Sequence, residues 1–123
     1  ENSPFLGMIW ETFLFAELRK TQAYRNKEIK LWHYRDQYAN EVDFILEHKG
    51  TLSFIEAKWS ELPSKKHGQT LNTIYTDLQS SKTPWQAGSR YILSRASHTY
   101  PLEDGTQIIR AQDIPLLKEI KEA

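Results

Sequence analysis

Cysteine is absent from the sequence, which excludes disulfide bonds and thiolate metal sites and fits a cytoplasmic location. Long apolar runs are also lacking: none approaches the roughly 20 residues that cross a bilayer, so no membrane partner is expected. The start of the chain has no secretory signal pattern. The 16 Lys and Arg residues balance the 16 Asp and Glu residues. This balance counts against strong autonomous DNA binding, because such domains are normally basic, but it is compatible with a local basic groove.

The 123 residues are enough for one hydrophobic core, so we expect a single domain over 1–123. Because the first residue is Glu1 rather than Met, we also expect the chain to be part of a longer protein. Ser3 and Pro4 predict a helix start, and apolar residues at helical spacing continue the helix over about Phe5–Lys20. This helix is apolar on nearly all sides, which predicts that one side faces another domain or subunit.

Short apolar runs after this helix predict a mixed central sheet flanked by helices. The second and third strands carry apolar side chains in both alternating sets, which is typical of a sheet covered on both faces. The predicted elements are strands at Ile29–Tyr34, Glu41–Glu47 and Leu52–Trp59, a mobile loop at Glu61–Gly68, a helix at Gln69–Ser81, strands at Arg90–Ser94 and Gln107–Arg110, and a helix at Ile114–Lys121. The order αβββαββα indicates a mixed α/β domain.

Charged residues cluster on the hairpin formed by the second and third strands. A turn at Lys49-Gly50 places Asp43 directly across from Glu56. Two carboxylates in opposed positions repel each other unless something compensates them. Mg²⁺ would do so, because it favours oxygen ligands, and Lys58 could orient an attacking water or stabilise charge on a phosphate. The alternative is a solvated edge on which Lys58 and Arg35 neutralise the acids.

The same residues carry a family resemblance. Asp43, twelve residues and then Glu56-Ala57-Lys58 resemble the Asp-x(n)-Glu-x-Lys signature of the PD-(D/E)XK nuclease superfamily. Gly7-x-x-x-Glu11 resembles the first-helix glutamate of its Holliday-junction-resolvase-like branch. Three segments further resemble the uncharacterised C-terminal domain of prokaryotic AAA-type ATPases: Gly7–Glu11 with Glu17-Leu18, Tyr34-Arg35 before Glu41–Leu46, and Ile55–Ser60.

The resemblance implies a restriction-endonuclease-like fold and a centre that hydrolyses nucleic-acid phosphodiester bonds with Mg²⁺ or Mn²⁺. It also implies an N-terminal ATPase domain as a partner in the same protein. Carried over by position, Asp43, Glu56 and Glu11 hold the metal, and Lys58 completes the catalytic set by assisting the water. One departure from the pattern is Val42, which stands where the superfamily name has proline.

Candidate contacts to nucleic acid are Arg35, Lys65 and Lys66. The alternative interpretations are a structural ion pair for Arg35 and an ordinary solvated loop for the two lysines. The histidines lack the spacing of a helical zinc pair, and no phosphate-binding glycine loop is present, so the sequence predicts neither a zinc site nor an ATP site.

Two functions remain open at this point. The first is a Mg²⁺-dependent nuclease module attached to an ATPase and acting on DNA. The second is a catalytically silent module that keeps the nuclease fold and interacts with the ATPase, regulates it or binds nucleic acid. The second function predicts association of the isolated domain, including as a homo-oligomer, through the surface of Phe5, Met8 and Phe15.

Overall fold

The computed structural model describes residues 4–25, 28–35, 41–63 and 65–121. Its helices and strands are α1 (Pro4–Arg25), β1 (Lys30–Arg35), β2 (Glu41–His48), β3 (Thr51–Ala57), α2 (Gln69–Ser80), β4 (Gln86–Ser94), β5 (Tyr100–Pro101), β6 (Gln107–Arg110) and α3 (Lys118–Lys121), with 3₁₀ segments at Lys65–Gly68 and Ala111–Leu116. This is the mixed α/β domain that the sequence predicts, with the short strand β5 in addition.

The strands form one sheet in the order β1-β2-β3-β4-β6-β5. The pairs β1–β2, β2–β3 and β5–β6 are antiparallel, whereas β3–β4 and β4–β6 are parallel. Parallel neighbours need a long crossover, and α2 lies in the connection between β3 and β4. Because β3 and β4 run in the same direction, their carboxyl ends lie side by side. The residues that follow these two strands therefore meet at one edge of the sheet.

The β2–β3 hairpin has the register that its turn residues predict. Lys49 and Gly50 have φ angles of 50° and 82°, as expected for a two-residue turn whose twist matches that of the strands. The ladder begins with the pair His48–Thr51 and continues to the pair Phe44–Ile55. The next positions along the hairpin are Asp43 and Glu56, so the two acids come to its open end together.

Hydrophobic cores cover both faces of the sheet, as the apolar pattern predicts. The core on the α1 side includes Leu14, Leu18, Phe44, Leu46, Ile55, Tyr91, Leu93, Ile109 and Ile114. The core on the α2 side includes Val42, Ile45, Phe54, Leu71, Ile74, Ile92 and Ile108. Consecutive residues of β2 and β3 thus alternate between the two cores, and this double burial fixes the strands at the centre of the domain.

Two predicted segments differ from the structure in the kind of element, and two elements are longer than predicted, since α1 extends to Arg25 and β4 begins at Gln86. The closing helix predicted over Ile114–Lys121 is a 3₁₀ segment followed by the short helix α3. Pro115 lies in that 3₁₀ segment and cannot donate a backbone hydrogen bond, which explains why regular α-helix begins only at Lys118. The predicted mobile loop contains the 3₁₀ segment Lys65–Gly68, which leads directly into α2.

Helix α1 is buried on one side only. Leu14 and Leu18 are in the core and almost inaccessible. The opposite side, called here the outer face of α1, consists of Phe5, Met8, Ile9, Thr12, Phe13, Phe15 and Ala16, all of which are exposed. Within the described ranges, no helix combines the length and the apolar character that a membrane crossing requires.

Candidate functional site

A bulge in β2 determines where Asp43 points. In the β1–β2 ladder, the single residue His33 stands opposite two residues, Asp43 and Phe44. Such a bulge interrupts the strict alternation of side chains and can re-aim one of them. Val42 packs in the α2-side core and Phe44 in the α1-side core, although two residues apart they would normally share a face. The bulge therefore leaves Asp43 free to approach helix α1.

Asp43 lies at the centre of a cluster of three carboxyl groups. Its Oδ2 accepts a hydrogen bond from the backbone N–H of Ala57 at 2.8 Å, which ties Asp43 to the end of β3. Its carboxyl group also hydrogen-bonds the side chains of Glu11 and Glu56. The structure thus brings together Glu11 from α1, Asp43 from β2 and Glu56 from β3.

The environment of Glu56 favours its protonated form. Burial is the main cause, followed by the hydrogen bond and the negative charge of Asp43, and together they raise the pKa of Glu56 to about 9. The ammonium group of Lys58 acts in the opposite direction. Burial and then the charge of Asp43 also raise the pKa of Glu11, against a lowering by His33. Near neutral pH, Glu56 therefore holds a proton.

Lys58 follows β3 directly and lies where three elements meet. Its backbone N–H donates to the carbonyl oxygen of Leu93, near the end of β4, at 2.9 Å. The indole N–H of Trp10 on α1 donates to the same oxygen at 3.2 Å. This shared acceptor joins α1 to the adjacent ends of β3 and β4. The backbone of Lys58 is thereby fixed two residues from Glu56, and its ammonium group acts on that carboxyl group.

The segment after Lys58 is held by stacked side chains. The guanidinium of Arg95 lies 3.7 Å from the centre of the Trp59 ring, and its Nε–H donates to the Trp59 carbonyl oxygen at 2.7 Å. Trp10 contacts the same ring edge-on, with the ring centres 5.8 Å apart. Sequence reasoning did not single out Arg95. The available signal was its position immediately after the predicted strand Arg90–Ser94.

A cleft of about 560 Å³ opens beside the acidic cluster, between α1 and strands β1 and β2. Glu11, His33 and Asp43 contribute its polar groups. Its apolar lining includes Met8, Phe15, Leu31 and Phe44. The Nδ1 of His33 lies 3.2 Å from the backbone carbonyl oxygen of Asp43. His33 was not predicted as part of the site, because its proximity to Asp43 depends on the bulge, which has no clear sequence signal.

The carboxyl cluster fits a hard divalent cation by its chemistry. Three carboxyl groups supply the oxygen ligands that Mg²⁺ prefers, and a cation would offset their mutual repulsion. In the part of the chain that the structure describes, however, no three His, Cys, Asp or Glu side chains converge as ligands of one ion. Glu11 and Glu56 are instead hydrogen-bonded to Asp43. Metal binding therefore requires that Glu56 lose its proton and that the side chains reorient.

The remaining predicted site residues cannot be placed. The side chains of Arg35, Lys65 and Lys66 lie outside those that the structure describes. Their suggested contacts with nucleic acid stay predictions. So do the catalytic roles of Glu11, Asp43, Glu56 and Lys58 (the structure gives only their positions).

Comparison with known proteins identifies a family without assigning an activity. No curated protein matches the chain. The chain is similar to one in the tetradecameric assembly of Thermococcus gammatolerans McrB AAA+ hexamers with bound McrC, with a TM-score of 0.48 and 14% sequence identity. That similarity covers 85% of this chain but only 27% of the matched one, so this chain spans less than a third of its length. A family model matches residues 6–114, and the chain accordingly belongs to the DUF4143 family, a domain of unknown function.

Proposed function

We propose that this domain is a Mg²⁺-dependent phosphodiester-hydrolysing module with a restriction-endonuclease-like fold of the PD-(D/E)XK type. The observation that carries the proposal is the meeting of Asp43, Glu56 and Lys58 at the open end of the β2–β3 hairpin, with Glu11 joined through Asp43. The order and spacing of these residues in the sequence match the signature of that superfamily. The proposed substrate is DNA, and the proposed partner is an AAA-type ATPase domain of the same protein.

The proposed chemistry assigns one task to each group. Asp43, Glu56 and Glu11 would hold the cation, and Glu56 would give up its proton to do so. A bound divalent cation would polarise the phosphodiester and promote attack by water. The ammonium group of Lys58 would stabilise the negative charge that develops on the phosphate. The fixed backbone of Lys58, bonded to Leu93 at 2.9 Å, supports this role because it fixes the point from which the side chain extends towards the cluster.

The test is cleavage of duplex, branched and single-stranded DNA with Mg²⁺ or Mn²⁺. We expect Asp43→Asn and Lys58→Ala each to reduce the rate by roughly 100-fold or more, the usual loss when a group that stabilises transition-state charge is removed. Lys82→Ala, at an exposed position outside the cluster, is the matched control and should cleave at the wild-type rate. If the two cluster variants cleave as fast as the control, the activity does not come from this site.

A second candidate is a catalytically silent interaction module, and a specific observation favours it. The carboxyl groups satisfy one another by hydrogen bonds, and the described residues offer no ready set of three metal ligands. Mn²⁺ titration calorimetry at pH 8 separates the two candidates, because the cost of deprotonating Glu56 falls as the pH approaches its pKa of about 9. Binding that Asp43→Asn abolishes supports the nuclease module. Absence of both binding and cleavage supports the silent module.

A further inference from the structure

The outer face of α1 carries five of the ten large hydrophobic side chains that are exposed among the described residues. Its large side chains keep much of their area exposed: Phe5 63%, Met8 59%, Ile9 47%, Phe13 46% and Phe15 45%. The three phenylalanines each carry roughly 150–250 Å², and together with Met8 and Ile9 the five side chains expose on the order of 500 Å². That is at the upper end of what a single soluble domain leaves open, and surfaces of this kind mark interaction sites.

The face is also uncharged over its whole apolar length. Between Phe5 and Ala16 the only ionisable residue is Glu11, whose side chain points away from the face and contacts Asp43. Basic residues follow further along the helix, at Arg19 and Lys20, both exposed. A partner that covers the apolar stretch must therefore offer an uncharged surface of about 17 Å, the length of twelve helical residues. A nucleic-acid backbone does not meet this requirement.

We propose that the outer face of α1 is an interface for a second copy of this chain, formed by antiparallel packing of the two α1 helices. A two-fold interface needs a self-complementary patch, and antiparallel packing places one uncharged stretch against the other. The Arg19 and Lys20 residues of the two copies then lie at opposite ends, roughly 25 Å apart, so they do not repel each other strongly.

The shape of the face supports helix packing. Thr12 and Ala16, the small residues of the face, lie along its middle, and Phe13 and Phe15 flank them on the two sides. The hydroxyl of Thr12 is already bonded to the carbonyl oxygen of Met8 at 2.9 Å, so covering it leaves no unsatisfied group. Small residues between larger ones let a second helix approach closely.

The exposed area predicts a weak dimer. Two such faces together remove on the order of 1,000 Å² from water, near the lower limit for a specific interface. We therefore expect a dissociation constant in the micromolar range for the 123-residue chain. Met8 and Phe15 also line the cleft beside the acidic cluster, so the second copy would border that cleft. Formation of the dimer does not depend on catalytic activity of the cluster.

Sedimentation equilibrium over about 1–500 µM protein tests the proposal by measuring the dissociation constant of the wild type and of each variant. Ile9→Glu places a charge on the outer face but leaves the cleft and the acidic cluster unaltered. We expect it to weaken association at least about tenfold. Leu62→Glu, which removes another exposed apolar side chain, should associate like the wild type. Circular dichroism checks that both variants are folded.

Cross-linking gives an independent readout, because the chain has no cysteine of its own. Thr12→Cys, in the middle of the face, should form dimers with a short bis-maleimide reagent, and Leu62→Cys should not. Three results would overturn the proposal: a wild-type chain that stays monomeric at every concentration, association that Ile9→Glu leaves unchanged, or assembly into species larger than dimers.

Discussion

At the scale of single residues, Glu56 is a buried carboxyl group whose surroundings favour its protonated form. It is buried near the end of β3, where Asp43 raises its pKa and Lys58 lowers it. Burial and the neighbouring acid together outweigh the lysine, so its pKa is raised to about 9. In the unfolded chain the same group has an ordinary pKa near 4.5. Folding therefore binds a proton at Glu56 over the interval between these two values.

This proton makes stability depend on pH. A group with a raised folded-state pKa contributes stability that is fully present below about pH 4.5 and is lost as the pH rises towards about 9. Glu56→Gln removes the titration and keeps a side chain that can donate to Asp43. We expect this variant to unfold at higher urea concentration than the wild type at pH 8, by on the order of 2 kcal/mol, and to show little difference at pH 4.5.

The matched control for this prediction is Glu103→Gln. Glu103 is exposed on the segment between β5 and β6, so its neutralisation should change the unfolding free energy by less than about 0.5 kcal/mol at either pH. A Glu56→Gln variant that gains the same stability at both pH values would contradict the assignment of the proton to Glu56.

The residue scale also shows how far the sequence could predict the site. Asp43 and Glu56 were predicted together because the turn residues Lys49 and Gly50 fix the register locally, and the structure has that register. His33 and Arg95 were not predicted. Their proximity to the cluster depends on a bulge and on the parallel pairing of β3 with β4, which are set by packing between distant segments rather than by local pattern.

At the scale of elements, the contact between β3 and β4 depends on a second bulge. Between the paired residues, Ser53 of β3 faces both Gly88 and Ser89 of β4. The Ser53 hydroxyl accepts a hydrogen bond from the backbone N–H of Ser89 at 3.0 Å, and it lies where a side chain on Gly88 would project. A Cβ atom at position 88 would be 2.4 Å from the Ser53 Oγ and 2.7 Å from Cγ2 of Thr51.

Gly88→Ala should therefore destabilise the domain by about 1–3 kcal/mol, the usual cost of overpacking a buried site. Gly7→Ala is the matched comparison, because no atom lies within 4 Å of a Cβ built at Gly7. Gly7 is inside α1, where alanine is the better helix former, so this variant should gain up to about 1 kcal/mol. Thermal unfolding measures the stability change in both variants, and equal changes in the two would refute the close contact at position 88.

Element prediction succeeded where local pattern is decisive and failed where it is not. The buried strands and α2 were predicted within a few residues, because their apolar periodicity is strong. Strand β5 was missed, since it has two residues, one of them Pro101, and exists through its pairing with β6. The closing helix was predicted too long because the apolar spacing continues through Pro115. The spacing of apolar residues carries no information on the backbone N–H that proline lacks.

At the scale of the whole molecule, a buried carboxyl group connects the end of the chain to the centre of the sheet. Glu119 of α3 accepts hydrogen bonds from the Ser53 hydroxyl and from the Tyr91 hydroxyl, both at 2.6 Å. All three side chains are buried. Burial and the bond to Glu119 raise the pKa of Tyr91 well above its usual range, so the phenol remains a donor. These bonds hold α3 against β3 and β4.

Glu119→Ala should cost roughly 2–4 kcal/mol, because two buried hydroxyl groups lose their acceptor. Glu119→Gln keeps one acceptor oxygen in a similar position, so this variant should lose less unfolding free energy than Glu119→Ala. Urea denaturation measures both, and hydrogen exchange of the α3 amides reports whether the helix detaches. Equal stability of Glu119→Ala and the wild type would mean that α3 does not contribute to the folded core.

The bulge opposite His33 has a practical consequence for finding related proteins. One inserted residue in β2 decides whether an acid at this point reaches α1, so a chain without that residue would turn the same acid to the opposite face of the strand. An acid at the matching position is therefore not enough to identify a related site. A search should also require apolar residues on both sides of the acid, because Val42 and Phe44 pack on opposite faces of the sheet through the bulge.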